Sequence, residues 1–471
     1  MSLFESFDCE VNNALSFWGD LESYTLSDIL ENKLYSSQVK IQKSSGDWKS
    51  RSLILTTTCL YYCGNDMNPK KKAIVKWKKV EAFQEQSGSD ERFGFKIGHE
   101  TIYKEFYLEN TDLLEDWLNE LSKVVIMSDF EDEFAVIKEV GKGNYANVYL
   151  VKELATSNQF AVKAISKEIV YKSSRGVAAV INEIEIMKKL SHPSLLKLHK
   201  VYENTENVFI IVDYVEGGDL FRRILKKGKF TEASAAKFMK TMLQGLHYLH
   251  SQKIVHRDLK PENLLMISQD NDEDFKIGDF GLACICTESQ TLRCGSPGYI
   301  APEILSKKPY SFKADIFSAG VILYILLSGR APFYGKTSNE ILIKNQECRI
   351  YFHEKDWNDI SNDSIDLVLK LTDPDPDIRL TAEEALQHKW IISMHNEPGK
   401  KLQLPSIGKI AFESPEQGFS CSLMQRLNEK RNLGIQIIYG TVDNEESKNE
   451  NATRNIKATG ILKKLREDEL K

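Results

Sequence analysis

A glycine-rich turn in the first half of the chain is the first feature whose residue types predict chemistry. Gly141 and Gly143 are followed by Ala146 and Val148, and Ala146 stands where a third glycine would continue the pattern. Glycine lets the backbone approach a ligand closely and offer N–H groups to phosphate oxygens. The turn therefore predicts a phosphate-binding loop, which Ala146 makes stiffer, although such turns also occur in proteins that bind no phosphate.

A lysine and a glutamate follow at a longer spacing. Lys163 stands inside the apolar run Ala161–Ile165, which predicts a strand. Glu183 lies in Ala178–Leu190, where apolar residues recur at helical spacing. Because burying a lone charge is costly, Lys163 either lies on a solvated strand edge or has a buried partner. Glu183 is the candidate partner, but the solvated edge is the simpler interpretation of Lys163 taken alone.

The most specific signal is a set of short polar motifs in a fixed order. His256–Asn263 is followed by Asp279–Gly281 and then by Ala301–Glu303. Any one of these motifs could arise by chance, but together with the glycine-rich turn and Lys163 they form an ordered set. Their carboxylates and amide are oxygen ligands of the kind that Mg²⁺ prefers.

Together these motifs resemble the eukaryotic protein kinase domain, over residues 134–391. The resemblance implies a bilobal α+β fold that binds ATP and Mg²⁺ and transfers a phosphoryl group to a protein hydroxyl. Lys163, oriented by Glu183, would hold the α- and β-phosphates. The residues implied to bind the cofactor are Gly141, Gly143, Ala146, Val148, Lys163 and Asp279.

The resemblance also implies roles for the central motifs. Asp258 would orient the substrate hydroxyl and accept its proton, and Lys260 would steady the γ-phosphate. Asp279 would bind one Mg²⁺ and Asn263 a second. The implied catalytic residues are therefore Lys163, Glu183, Asp258, Lys260 and Asn263.

Three further residues are expected to support the fold rather than the chemistry. Glu303 is expected to pair with Arg379, and Asp315 is expected to cap the backbone of the catalytic loop.

The alternative to an active enzyme is a catalytically silent scaffold, a pseudokinase. Such proteins usually lose the equivalent of Lys163, Asp258 or Asp279, and all three are present here. A pure lipid-binding adaptor would leave the kinase-like residues unexplained.

Lys260 and the segment Gly295–Tyr299 resemble the serine/threonine class of kinases. Within that class, Cys294–Tyr299 and Gly329–Phe333 are similar to the calcium/calmodulin-dependent group. The acidic hairpin Ser268–Asp274 lacks the glycine and the closing glutamate of an EF-hand loop, so it is interpreted as a solvated turn.

Substrate choice and activation can also be predicted by this resemblance. Asp219 and Glu262 would face a bound peptide, and their carboxylates would favour an arginine upstream of the phosphoacceptor. Arg257 would pair with a phosphate on the activation segment, because a phosphate's charge can order a loop against an arginine. The candidate acceptors are Thr287, Ser289 and Thr291.

Residues 28–127 predict a separate, strand-rich unit. Short strand-like runs are followed by Thr111–Val124, whose apolar residues recur at helical spacing, with Thr111 or Asp112 as the cap. This order predicts a small β-barrel or sandwich capped by a C-terminal helix. Trp48–Leu55, Leu60–Tyr62 and Trp117 resemble a pleckstrin-homology domain. The arm before it, residues 1–27, has no readable role.

Clustered basic residues suggest a ligand for this unit. In pleckstrin-homology domains that bind phosphoinositides, lysines and arginines spaced like Lys40, Lys49 and Arg51 lie at one mouth, suited to a phosphorylated headgroup. Lys43 and Lys70–Lys72 would add attraction to an anionic membrane. The alternative is a solvated basic hairpin in a domain that binds a protein or masks the kinase. Met127–Glu133 is expected to be a short acidic linker that keeps the unit near the kinase.

The tail, residues 392–471, is polar and is predicted to be regulatory or disordered. Phe419–Ile438 could form a basic amphipathic helix that calmodulin removes from the kinase, and Lys463–Arg466 is a second basic patch. The alternatives are a helix packed permanently on the kinase and a disordered tail.

Composition excludes several other classes. The chain has 471 residues, 42% of them hydrophobic, and a net charge of −6, so it is neither largely disordered nor drawn to nucleic acid by charge. The longest apolar run, Val321–Leu327, is far shorter than the ~20 residues of a membrane span. The first residues lack the basic start of a secretory signal. Eight scattered cysteines predict free thiols, and the expected location is the cytoplasm, with access to a membrane surface.

Overall fold

A computed structural model of the chain describes most residues before position 397. The described residues are 2–4, 16–21, 26–42, 45–64, 67–87, 90–99, 102–142, 146–173 and 176–396. Gly143, Lys43 and the tail segments predicted to bind calmodulin lie outside them.

The first part of the chain forms a unit that we call the β-rich module. Its strands are antiparallel neighbours in the order β4-β3-β2-β1-β7-β6-β5. Its elements are α1 (Leu26–Glu31), β1 (Lys33–Gln42), β2 (Trp48–Thr56), β3 (Cys59–Cys63), β4 (Pro69–Ile74), β5 (Lys79–Ser87), β6 (Asp90–His99), β7 (Ile102–Tyr107) and α2 (Thr111–Ser122).

Helix α2 closes the module on one side. Its cap is Asn110, whose side-chain oxygen accepts a hydrogen bond from Leu113 N at 2.8 Å, so the predicted caps Thr111 and Asp112 are one and two residues late. Trp117 of α2 is fully buried in the module core and donates its indole N–H to Ser37 Oγ at 2.8 Å. Burying the whole indole contributes roughly 3 kcal/mol to the stability of the module.

The segment expected to be a linker is instead part of the fold. A short strand, β8 (Ile126–Met127), pairs in parallel with β5 on one side and with Tyr202 of the next lobe on the other. A helical turn, α3 (Phe130–Glu133), follows it. The phenyl ring of Phe130 stacks on Phe209 with centroids 4.4 Å apart, which buries the start of the following lobe. Apolar burial and strand pairing therefore override the acidic composition of this segment.

The next elements form a second, smaller lobe whose sheet continues that of the module through β8, in the order β8-β12-β13-β11-β10-β9. We call it the small lobe. It contains β9 (Phe134–Lys142), β10 (Ala146–Glu153), β11 (Gln159–Ser166), α4 (Lys167–Lys172), α5 (Gly176–Lys189), β12 (Leu198–Glu203) and β13 (Asn207–Asp213).

The remaining described elements form a mainly helical large lobe. They are α6 (Leu220–Lys227), α7 (Glu232–Ser251), β14 (Ile254–Val255), β15 (Leu264–Met266), β16 (Phe275–Ile277), β17 (Cys284–Ile285), α8 (Pro302–Leu305), α9 (Lys313–Ser328), α10 (Ser338–Glu347), α11 (Glu354–Trp357), α12 (Asn362–Leu371), α13 (Ala382–Leu386) and α14 (Lys389–Asn396).

Helix α9 forms the centre of the large lobe, and all but its first residue are buried. It contains the longest apolar run of the sequence, Val321–Leu327, which is therefore a core segment. Over the described ranges, no helix has both the length and the apolar character that a membrane crossing requires.

Candidate active site

Lys163 and Glu183 meet within the small lobe, beside Asp279 of the large lobe. Lys163 lies on β11, which pairs with β10 and β13, so it is on a central strand and the solvated-edge interpretation is wrong. Its ammonium donates to Glu183 Oε1 on α5 at 2.6 Å and lies 3.7 Å from Asp279 Oδ1. One cation therefore links a helix, a central strand and the Asp279–Gly281 motif.

The pKa values of the three ionisable groups in this cluster are shifted in different directions. Burial acts to lower the pKa of Lys163, but the carboxylates of Glu183 and Asp279 outweigh it and raise that pKa. Burial raises the pKa of Glu183, and the nearby charge of Asp279 adds to the rise. Partial desolvation acts to raise the pKa of Asp279, but the charges of Lys163 and Lys260 outweigh it and lower that pKa. An ionised Asp279, 42% exposed at its side chain, is suited to hold a divalent cation.

A second cluster surrounds Asp258. Lys260 Nζ lies 2.7 Å from Asp258 Oδ2 and also donates to Ser296 Oγ at 2.9 Å. The Ser296 hydroxyl donates to Asp258 Oδ1 at 2.6 Å. Asn263 Nδ2 donates to the backbone oxygen of Asp258 at 2.8 Å. Three side chains of the His256–Asn263 motif and one from the Gly295–Tyr299 segment are thus held in one hydrogen-bonded group.

Ser296 is the member of this group to which sequence reasoning gave no role. The signal was available in part, because Ser296 lies in Gly295–Tyr299, the segment used to predict the kinase class. Its contact with Asp258 spans 38 residues, so no local pattern reveals it.

Asp315 accepts hydrogen bonds from the backbone just before Asp258, as expected. The Asp315 carboxylate accepts from His256 N and Arg257 N, both at 2.9 Å, and from His250 Nε2 at 3.0 Å. Burial acts to raise the pKa of Asp315, but these donors outweigh it and lower the pKa. Arg257 and Asp279 have positive φ, 68° and 57°, conformations that persist only where surrounding contacts impose them.

Glu303 and Arg379 form the predicted ion pair in the large lobe. Arg379 NH1 and NH2 donate to the two Glu303 carboxylate oxygens at 2.7 and 2.9 Å. The side chains are 0% and 2% exposed, so both charges depend on each other. Arg379 also donates to the backbone oxygens of Lys313 and Asp373, which ties three segments together.

The glycine-rich turn is described on both sides of its tip. Gly141 on β9 pairs with Val148 on β10, and Ala146 pairs with Ile165 on β11. Val148 and Ala146 are half-buried and pack against the main apolar core. These positions lie at the β9–β10 hairpin next to Lys163, where the sequence predicts a nucleotide.

The two carboxylates predicted to select a peptide arginine are near each other. Asp219 begins α6 and accepts from Arg222 N at 2.8 Å, so it is also a helix cap. Partial desolvation raises the pKa of Glu262 although the residue is exposed, and the charges of Asp258 and Asp219 add to the rise while Lys260 opposes it. The two carboxylates are therefore close enough to interact, and each also has a cation beside it: Arg222 Nε lies 3.4 Å from Asp219 Oδ2, and the charge of Lys260 acts on Glu262.

The activation segment, between Asp279 and Glu303, leaves its three candidate phosphate acceptors accessible. Arg257 donates from Nε to the Leu282 backbone oxygen at 2.6 Å and from NH1 to Tyr310 OH at 3.4 Å. A phosphate near Arg257 stays a prediction. The three candidate acceptors, all exposed, are Thr287, Ser289 and Thr291.

In the β-rich module, strand register corrects the predicted basic mouth. Lys40 pairs with Ser50 while Arg51 pairs with Val39, so Lys40 lies on the opposite face of the β1–β2 hairpin from Arg51 and Lys49. The cause is the period of two, because Lys40 alternates with the buried Val39 and Ile41 of β1.

Lys71 on β4 is a basic residue that can take the place of Lys40 in the predicted basic mouth. It pairs with Tyr62, which pairs with Leu53, so Lys71 lies on the face of Lys49 and Arg51. Arg51 Nε donates to Tyr62 OH at 2.6 Å, which holds the guanidinium at this position.

Comparison with known proteins agrees with the geometry of the two lobes. The family model "Protein kinase domain" matches residues 134–391, more than half of the chain. Over 269 residues the chain is 38% identical to myosin light chain kinase A of Dictyostelium discoideum, covering 57% of this chain and 90% of that protein.

Two relatives come from Plasmodium falciparum. Probable serine/threonine-protein kinase 2 (isolate K1 / Thailand) is 35% identical over 331 residues, 69% of this chain and 64% of its own length. Calcium-dependent protein kinase 5 (isolate 3D7) is 38% identical over 277 residues, 57% of this chain and 48% of its own length. The chain thus spans less than two thirds of either protein.

The chain belongs to the protein kinase family. Within it, the domain formed by the two lobes is a serine/threonine protein kinase domain.

Proposed function

We propose that this protein transfers the γ-phosphoryl group of ATP to serine or threonine hydroxyls of protein substrates. The observation that supports this most is the presence of both polar clusters in one cleft. Lys163 is within 2.6 Å of Glu183, and Asp258 is held by Lys260 and Ser296. A catalytically silent scaffold would not need both to be assembled.

In this proposal Asp258 receives a hydrogen bond from the substrate hydroxyl and takes its proton as phosphate is transferred. Lys260 and Lys163 supply positive charge on either side of the transferred group. Asp279 and Asn263 would hold Mg²⁺, which would neutralise phosphate charge. Burial acts to lower the pKa of Lys260, but Asp258 outweighs it, so the amine stays charged.

The first test is transfer of labelled phosphate from ATP to a serine/threonine peptide library by the full chain. We expect incorporation that requires Mg²⁺. Adding calcium and calmodulin tests the predicted control of the kinase by the tail. If calmodulin removes the tail from the kinase, the rate of phosphate transfer is expected to rise. Absence of transfer under all these conditions would favour the scaffold.

The same library tests substrate selection. We expect peptides with arginine upstream of the phosphoacceptor to be preferred, because Asp219 and Glu262 can each form charge-assisted hydrogen bonds with a guanidinium. Asp219→Asn should reduce the preference, because the variant lacks the negative charge. Asparagine also caps helices well, so α6 should be kept. An arginine preference that Asp219→Asn and Glu262→Gln both leave unchanged would exclude these residues.

We also propose that the β-rich module is a pleckstrin-homology-like domain that recruits the kinase from the cytoplasm to anionic membranes. Its seven antiparallel strands and closing helix over the described positions support this, as does the shared face of Lys49, Arg51 and Lys71.

Membrane binding can be measured with vesicles containing a multiply phosphorylated phosphoinositide. Each of Lys49→Ala and Lys71→Ala should weaken binding by roughly 1 kcal/mol, a loss of about fivefold. Lys40→Ala, on the opposite face, should weaken it less. If Lys40→Ala has the larger effect, the corrected basic face is wrong, and unchanged binding in all variants would exclude a headgroup site there.

A further inference from the structure

The β-rich module meets the small lobe on helix α5, the helix that carries Glu183. At about 100° per residue, Glu185 and Lys188 are about 200° and 140° around the helix from Glu183. One side of α5 therefore faces Lys163 and the other faces the module. The module side has contacts that the implied kinase roles do not use.

Trp77 is the central residue of this junction. It belongs to the module, between β4 and β5, but its side chain packs in the main apolar core of the kinase lobes and is only 6% exposed. Its ring is parallel to that of Phe4, with centroids 5.1 Å apart. Lys188 Nζ of α5 lies 5.3 Å from the Trp77 ring centroid. Trp77 has a φ of 69°, which is unfavourable for a bulky residue and persists only where its surroundings impose it.

Polar contacts hold α5 to the same junction. Lys76 of the module forms an ion pair with Glu185. Lys188 Nζ donates to the backbone oxygen of Val124 at 3.0 Å. Burial, reinforced by the charge of Lys76, lowers the pKa of Lys188 to about 7, although Glu185 opposes this. The amine is therefore enclosed between the two units.

A buried carboxylate on β12 joins three parts of the chain beside this point. Glu203, 3% exposed, accepts from Ser2 Oγ at 2.6 Å and from Leu3 N at 2.5 Å. Lys167 of the small lobe lies 3.0 Å from it, and Lys79 of the module lies 3.6 Å away. The segment Ser2–Phe4 is thereby fixed with its apolar side chains fully buried.

We propose that the β-rich module positions the active site through α5, with Trp77, Lys76 and Glu185 as positioning residues. These contacts fix α5 where Glu183 reaches Lys163, and the segment Ser2–Phe4 fixes Trp77. The inference rests on the proposed phosphoryl transfer, and it makes the module part of the catalytic apparatus in addition to any membrane role.

The test uses the full chain and a charge exchange at the junction. Glu185→Lys places three lysines together, at positions 76, 185 and 188, and should displace α5. We expect kcat/KM for ATP to fall about tenfold or more, because small displacements of a positioning group have effects of this size. Adding Lys76→Glu should restore most of the activity. Tyr103 is an exposed aromatic residue elsewhere in the module, so Tyr103→Ala should leave kcat/KM for ATP unchanged.

A double-mutant cycle separates positioning from general stability. Trp77→Ala should lower kcat/KM in the wild-type background and have little further effect in a Glu183→Gln background, because both act through the Lys163–Glu183 contact. Losses that multiply, or wild-type activity in Glu185→Lys, would overturn the inference.

Hydrogen exchange of the α5 amides provides a readout that does not need activity. We expect faster exchange in Glu185→Lys and recovery in the charge-exchanged double variant. Exchange that stays at the wild-type rate contradicts the inference. If the wild type transfers no phosphate but exchange changes as expected, the proposed function fails and the coupling of the module to α5 stands.

Discussion

Asp258→Asn is expected to reduce phosphate transfer by about 10²–10⁴-fold, the range typical of losing a general base or positioning group. The variant keeps the size of the side chain but replaces an acceptor oxygen by an amide donor. Asp258 accepts from both Lys260 and Ser296, at 2.7 and 2.6 Å. The asparagine can keep a hydrogen bond to Lys260 through its oxygen, but it has no negative charge and must turn its amide toward Ser296, so it can no longer accept the proton of the substrate hydroxyl.

ATP affinity should change little in this variant, because the contacts of Lys163 are to Glu183 and Asp279. The measurements are the rate of transfer to a peptide and the dissociation constant of ATP by titration. Asp274→Asn, at an exposed position outside both polar clusters, is the matched control and should behave as wild type. Transfer by Asp258→Asn at the wild-type rate would contradict the assignment of the base.

Glu303→Ala is expected to destabilise the large lobe by about 3–5 kcal/mol, because it leaves the guanidinium of Arg379 buried without its carboxylate. The pair is bidentate and almost fully enclosed. For a domain of this size the corresponding fall in Tm is on the order of 10 °C. Thermal unfolding followed by circular dichroism measures it.

An exposed pair supplies the comparison. Glu168 and Lys172 are four residues apart on α4 and are 70% and 73% exposed at their side chains. Glu168→Ala removes the same carboxylate from a solvated site and should leave Tm within experimental error. If Glu303→Ala and Glu168→Ala have the same Tm, the buried Glu303–Arg379 pair does not contribute to stability as argued.

Short motifs allowed much of the cleft to be predicted, because their residues act at fixed local spacing. The pairing of Lys163 with Glu183 was implied by the family resemblance, whereas the residues alone favoured a solvated strand edge for Lys163, because position along the chain does not show that β11 is a central strand. The contact of Ser296 with Asp258 was not, because it depends on how the activation segment returns to the catalytic loop.

Other features depend on register and on distant packing. The position of Lys40 on the wrong face follows from strand alternation once β1 is aligned with β2, which spacing along the chain does not specify. The acidic hairpin was interpreted as solvated, but Asp272 pairs with Arg223 at 2.8 Å and Glu273 with Lys237 at 2.8 Å. Neither partner could be identified from local composition.

The shared sheet has a consequence for where the polypeptide can be cut. A fragment that begins at residue 134 retains the whole family match but loses β8, so β12 loses its hydrogen-bonding neighbour at Tyr202. It also loses Phe130, whose ring covers Phe209. An unpaired strand edge beside exposed aromatic rings favours self-association. Light scattering should therefore show aggregation of such a fragment at concentrations where the full chain stays monodisperse.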